Sequence, residues 1–133
     1  MHSFHQFFLA IVAGMLTISL AQAQPPNLAG SWTGFWESDM NGHHGPLRAR
    51  LRQRPDGSYR ALFSGRYAGI IPFWYTARLN VEGVGEDVLL LEGSQRLPLL
   101  GDYRTQAVVT ATDFNASFTS RRDYGHFVLQ RRR

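Results

Sequence analysis

Between Gly30 and Arg133 hydrophobic and polar residues alternate with a period of two, and no stretch carries a helical 3.6-residue stripe. Turn-forming residues interrupt the alternation roughly every 8 to 12 residues, the spacing of short antiparallel strands. The pattern predicts strands near 31–37, 46–54, 58–66, 72–82, 87–92, 102–112, 114–120 and 125–132. The fold class is therefore all-β.

The segment Arg54-Pro55-Asp56-Gly57-Ser58 predicts a hairpin with a three-residue loop, in which Pro55 presets φ and Gly57 takes the left-handed position. Gln53 then faces Tyr59, Arg52 faces Arg60, Leu51 faces Ala61, Arg50 faces Leu62 and Ala49 faces Phe63. A two-residue Asp56-Gly57 loop sets Arg54 against Tyr59 instead and mixes the two faces. Carried along the chain, this parity turns Trp32, Trp36, Tyr59, Phe63, Phe73, Tyr75, Val81, Tyr103, Phe114, Phe118 and Phe127 inward. One apolar face per strand implies one enclosed core. Eight consecutive antiparallel strands with short connections imply a small up-and-down β-barrel, which closes on itself and leaves no free edge. A two-sheet β-sandwich is the alternative packing.

Ahead of these strands lies a segment of another kind. No Arg, Lys, Asp or Glu precedes Glu37, and the apolar run Phe7–Leu20 is followed by Ala21-Gln22-Ala23. An apolar run ending in a small-x-small site reads as a secretory signal peptide over residues 1–23, cleaved to leave a barrel domain at 24–133. The run falls short of the about 20 apolar residues a membrane-spanning helix needs, so no span is expected after cleavage. An uncleaved anchor is the alternative. The expected location is secreted or periplasmic. There is no cysteine, so packing alone must stabilise the domain.

All fourteen basic residues are Arg, and against ten acids they leave a formal charge of +4. Parity sends Arg48, Arg50, Arg52, Arg54, Arg60, Arg78 and Arg104 outward, while the acids are expected at strand ends and turns. A basic wall of this kind suits an anionic polymer or a membrane surface. The same sorting also follows if Asp and Glu merely favour turns over strands. Nucleic acid is not expected, because the chain is read as exported and its aromatics alternate to the face opposite the arginines.

Three short motifs, Gly30-Ser31-Trp32, Thr112-Asp113-Phe114 and Arg131, stand in an order that resembles the lipocalins and the wider calycin group of β-barrels. The resemblance implies that Trp32 sits at the closed end of a barrel, that Thr112-Asp113-Phe114 forms the turn between the sixth and seventh strands, and that Arg131 packs across the Trp32 indole. Phe114 stands where the family's second signature usually has Tyr. The resemblance also implies a small apolar ligand at the barrel mouth. The inward Trp32, Trp36, Tyr59, Tyr75 and Tyr103 are the candidate ligand-binding residues, although so many aromatics point to a mostly filled interior with a shallow pocket at most.

The loop Glu37–Gly45 gathers acids with His43 and His44, but no third ligand stands at a diagnostic metal-binding spacing, and no metal is expected. His126 is outward and receives no role. The chain has no cysteine nucleophile, nucleophile elbow, zinc-protease motif or phosphate loop, and no cofactor motif. The sequence thus reads as an exported non-catalytic binding protein. A surface-interaction module and an enzyme are the runner-up classes.

Overall fold

The computed structural model describes residues 25–133; the segment read as a signal peptide and its expected cleavage point lie outside the described residues. Eight strands follow one another: β1 (Gly30–Ser38), β2 (His44–Gln53), β3 (Tyr59–Tyr67), β4 (Ile71–Gly85), β5 (Val88–Leu97), β6 (Gly101–Val109), β7 (Asp113–Thr119) and β8 (Tyr124–Arg131). Each pairs antiparallel with the next, and β8 returns to β1, so the sheet is a closed up-and-down barrel rather than a sandwich. Among the described residues no helix is long and apolar enough to cross a membrane.

The β2–β3 hairpin has the expected register, with Gln53 opposite Tyr59 and Ala49 opposite Phe63. Arg54 N–H donates to the Ser58 carbonyl at 2.7 Å, and Gly57 has φ 91°. Asp56 accepts from both the Ser58 amide (3.0 Å) and the Ser58 hydroxyl (2.6 Å), which lowers its carboxyl pKa and stiffens the loop.

An eight-stranded barrel is too narrow for an aromatic at every inward position. The buried alanines at 49, 61, 77, 107 and 116 make the room, with Ala49 opposite Phe63 and Ala116 opposite Phe127. Into that space fit Trp32, Tyr59, Phe63, Phe114 and Phe127, all almost fully buried. Trp32 meets Phe114 edge-on at 5.7 Å, Phe114 stacks on Phe127 at 5.7 Å, and Phe127 meets Phe63 edge-on at 5.5 Å.

Three sequence expectations are corrected. Val81, although opposite the buried Leu91, is 37 % exposed, and just beyond it a bulge between Val81 and Gly83 shifts the β4–β5 register and breaks the parity. Across that bulge Leu89 and Leu91 supply the buried side chains of β5. The acids are also not confined to strand ends. Glu82 lies within β4 and Glu92 within β5, where Glu92 accepts a hydrogen bond from Ser94 and faces Arg104 at 3.5 Å. Finally, the outer face carries aromatics as well as arginines, with Phe35 and Trp74 both largely exposed.

The alternation of connections gives the barrel two different ends. At one end lie the β2–β3, β4–β5 and β6–β7 turns with the segment before β1. At the other lie the loops after β1, β3, β5 and β7.

Candidate functional site

The first end is shut. Leu28, two residues ahead of β1, is fully buried across the opening. Its amide donates to the Tyr59 hydroxyl at 3.3 Å, and its carbonyl accepts from Trp32 Nε1 at 3.0 Å. Arg131, opposite Trp32 on β8, holds this plug down. Its guanidinium carbon lies 4.7 Å from the Trp32 ring centroid, Nε donates to Ala111 O at 2.7 Å, Nη1 donates to Ala29 O at 2.7 Å, and Nη2 donates to Asn27 O. The planar fork therefore ties β8, the β6–β7 turn and the N-terminal segment together while covering an indole. Thr112 and Asp113 lie at the β6–β7 turn, where Thr112 Oγ1 donates to Asp113 Oδ2 at 2.7 Å and Phe114 starts the buried side of β7.

The second end is open. There the barrel holds a cup of about 420 Å³ lined by Trp36, Leu47, Tyr67, Phe73, Trp74, Tyr75, Leu97–Leu100, Tyr103, Phe118 and Asp123. The walls are mostly aromatic. Trp36 meets Phe73 edge-on at 6.1 Å and stacks with Tyr67 at 5.8 Å, and Tyr103 stacks with Phe118 at 5.9 Å. Trp36 Nε1 donates to Arg66 O at 3.1 Å, which fixes the indole plane. That approach depends on Gly45, opposite Trp36, because any side chain at 45 meets the Arg66 carbonyl.

Two groups supply polarity to this apolar cup. The Tyr75 and Tyr103 hydroxyls lie 3.1 Å apart, hydrogen-bonded to one another. Burial pushes the Tyr75 pKa well above its ordinary value, helped by neighbouring Tyr103; burial likewise pushes Tyr103 up to about 12. Both are neutral donors and acceptors at any physiological pH. Asp123, in the β7–β8 loop, accepts from the buried Ser38 hydroxyl at 2.6 Å, and the Ser38 oxygen in turn caps the amides of Met40 and Asn41 at 3.2 Å.

Of the five ligand-binding residues expected from parity, the fold brings Trp36, Tyr75 and Tyr103 together in the cup. Trp32 and Tyr59 lie at the opposite, plugged end, where the Tyr59 hydroxyl and the Trp32 indole nitrogen are occupied by Leu28. Parity alone does not say towards which end of a strand an inward residue lies. Sequence reasoning missed Tyr67, Leu97–Leu100 and Asp123, which sit in or beside loops where alternation stops. The interior is packed only part of the way, to the level of Tyr75 and Tyr103.

Arg48, Arg50, Arg52, Arg54, Arg60, Arg78 and Arg104 are all exposed. Arg52, Arg60 and Arg78 face one another across β2, β3 and β4, like charges in direct cross-strand register. Arg78 pairs with Asp56, and Arg104 with Glu92. His43 packs against Tyr67 with ring centroids 4.9 Å apart, and His44 Nδ1 lies 3.2 Å from Gly42 O. His126, for which the sequence suggested no role, lies between Asp39 (3.0 Å) and Glu37 (3.6 Å) and links β8 to the β1–β2 turn. Among the described residues no three His, Cys, Asp or Glu side chains converge as a metal site.

No family model matches the chain, and no curated protein matches it. Two solved structures share its fold. A redesigned β-barrel, mFAP1, bound to DFHBI is 18 % identical with a TM-score of 0.58, covering 79 % of this chain and 94 % of its own. A second, a fluorescence-activating β-barrel designed de novo, is 16 % identical with a TM-score of 0.54, covering 80 % of this chain and 94 % of its own.

Proposed function

We propose that the chain is an exported, non-catalytic binding protein whose open end takes a small, flat, mainly apolar ligand. The observation that carries this reading is the cup of about 420 Å³ walled by aromatic rings with a paired tyrosine hydroxyl inside it. Its volume lies within the roughly 300–1,000 Å³ usual for small-molecule sites. Rings at these positions offer faces and edges to a planar guest, and the Tyr75–Tyr103 pair meets a single polar atom on it. A ligand acceptor can take the hydroxyl proton that is not shared between the two tyrosines, so one carbonyl or phenolic oxygen satisfies the site. The likeness to a barrel bound to DFHBI supports the architecture of such a site. The lipocalin-like reading rests on the order of its three motifs and on the Trp32–Arg131 closure. Export rests on the apolar run and the Ala21-Gln22-Ala23 site.

Fluorescence titration with DFHBI and with the hydrophobic dye anilinonaphthalene sulfonate tests the cup directly. Binding is expected to quench Trp36 and to be insensitive to salt. Tyr103→Phe, which keeps the ring and removes the hydroxyl, is expected to weaken a ligand that carries a polar atom by about 5- to 30-fold, the worth of one buried hydrogen bond. Saturable binding that survives Leu47→Trp, a substitution that fills the cup, places the ligand elsewhere and refutes the reading.

A further inference from the structure

The two loops that flank the cup differ from every other turn in the barrel. The β1–β2, β2–β3, β4–β5, β6–β7 and β7–β8 turns are built from residues such as Asp, Asn, Gly, Ser and Thr, as turns usually are. The neighbouring β3–β4 and β5–β6 loops read instead Tyr67-Ala68-Gly69-Ile70-Ile71-Pro72 and Leu97-Pro98-Leu99-Leu100. Leu97 and Leu100 pack against the core, but the tips stand in solvent: Ile70 is 80 % exposed, Ile71 54 %, Leu99 85 %, and Trp74, just below on the outer face of β4, 73 %. A contiguous apolar patch on the rim of a binding cup marks a contact surface.

The backbone adds a second observation. Leu99 holds φ 70° and Ala68 holds φ 54°, a region that Gly and Asn adopt readily and Leu does not. At the opposite end the one comparable residue is Asp87. A leucine that is both left-handed and largely exposed serves neither solubility nor turn geometry, which fits a side chain displayed for contact.

Charge identifies the partner. Arg66 stands opposite Pro72 at the end of β3, and Arg96 stands at the end of β5; both are exposed, and neither has an ion-pair partner among the described residues. Of the acids at this mouth, Asp102 stands opposite Arg96, and Asp123 lines the cup and accepts from the Ser38 hydroxyl. Two apolar tips backed by arginines complement a layer whose interior is hydrocarbon and whose surface is negative. A second copy of this chain seated on the same lips brings a second set of these arginines to the seam. Trp74 lies three residues below Ile71, about 10 Å along a strand, the depth at which an indole meets the headgroups when the tips reach the acyl chains.

We propose that the open end of the barrel docks on an anionic phospholipid bilayer, with Ile70, Ile71 and Leu99 entering the acyl-chain boundary and Trp74, Arg66 and Arg96 at headgroup level. Leu99 and Trp74 also line the mouth of the cup, so docking shares the open end with the proposed ligand. The vesicle experiment contains no ligand, and Leu47→Trp fills the cup without altering these tips, so failure of docking and failure of the ligand reading are told apart.

Trp74 is the built-in reporter, since Trp32 and Trp36 are buried. The full-length chain is mixed with vesicles of phosphatidylcholine and phosphatidylglycerol, or of phosphatidylcholine alone. The wild type is expected to show a blue-shifted emission that Trp74→Phe removes and that lipids brominated on the acyl chain quench. Leu99→Asp combined with Ile70→Asp is expected to abolish the shift; both sites are exposed, and Asp suits the left-handed position 99. Arg66→Gln with Arg96→Gln is expected to weaken binding to the anionic vesicles by about 30-fold, from roughly 1 kcal/mol per arginine near such a surface. The N-terminal segment is common to all variants and cancels in the comparison. An unchanged Trp74 emission, or a shift that survives the double Asp variant, overturns the proposal. So does sedimentation showing lip-dependent pairing of copies without a vesicle response.

Discussion

Removing the Arg131 side chain tests the closed end and the closure of the barrel together. The guanidinium covers the Trp32 ring at 4.7 Å and donates to the carbonyls of Ala29, Ala111 and Asn27. A partly desolvated cation over an indole contributes about 1 kcal/mol. Three charged hydrogen bonds to carbonyls that water can reach after truncation contribute roughly 0.5 to 1 kcal/mol each, below the buried value. Arg131→Ala is therefore expected to cost about 3 kcal/mol. For a domain of this size that lowers Tm by roughly 12 °C, or the urea midpoint by about 2 M. Arg131→Lys keeps a charge over the indole but loses the fork, and is expected to recover about half of the loss. Because the same carbonyls position Leu28, Arg131→Ala and Leu28→Ala are expected to be non-additive, while Arg132→Ala stays within about 0.5 kcal/mol. Urea unfolding followed by circular dichroism measures all four. An Arg131→Ala variant no less stable than Arg132→Ala refutes the latch.

Two further outcomes are expected. In a spectrophotometric titration Tyr103 stays protonated to about pH 12. Its folded pKa lies above the unfolded value of about 10, so its contribution is fully present below pH 10 and is lost as pH rises through 12. Tyr103→Phe should therefore flatten the stability curve over that window, and a curve identical to wild type counts against burial of the pair. If the N-terminal segment is a cleaved signal, the intact mass of exported protein matches Gln24–Arg133, and recovery of the uncleaved chain in the soluble exported fraction rejects it.

Strand number, the β2–β3 register and the inward face were legible because each depends on neighbours in sequence. Alternation says which residues share a face, and Pro55 and Gly57 say where the chain reverses. The exceptions are local failures of the same rule. The bulge at Val81–Gly83 shifts the pairing by one residue beyond Val81, so Gly83 and not Glu82 stands opposite Leu90, and nothing in a two-residue period announces an inserted residue. The site was legible only in part. Trp36, Tyr75 and Tyr103 were among the inward aromatics, as were Trp32 and Tyr59, and the two groups are identical by pattern.

What separates those two groups is position along the barrel axis, which depends on strand stagger, on which loops share an end, and on what covers each opening. By itself the chain determined an all-β class, a single apolar interior and the pairing of adjacent strands, because backbone stereochemistry and side-chain period act over a few residues. Only the tertiary structure decided that Leu28 plugs one end beneath Arg131, that the other end stays open between Trp36 and Tyr103, and that the apolar loops at Ile70 and Leu99 stand side by side. Those juxtapositions join residues up to 104 positions apart, and they exist only once the sheet has closed.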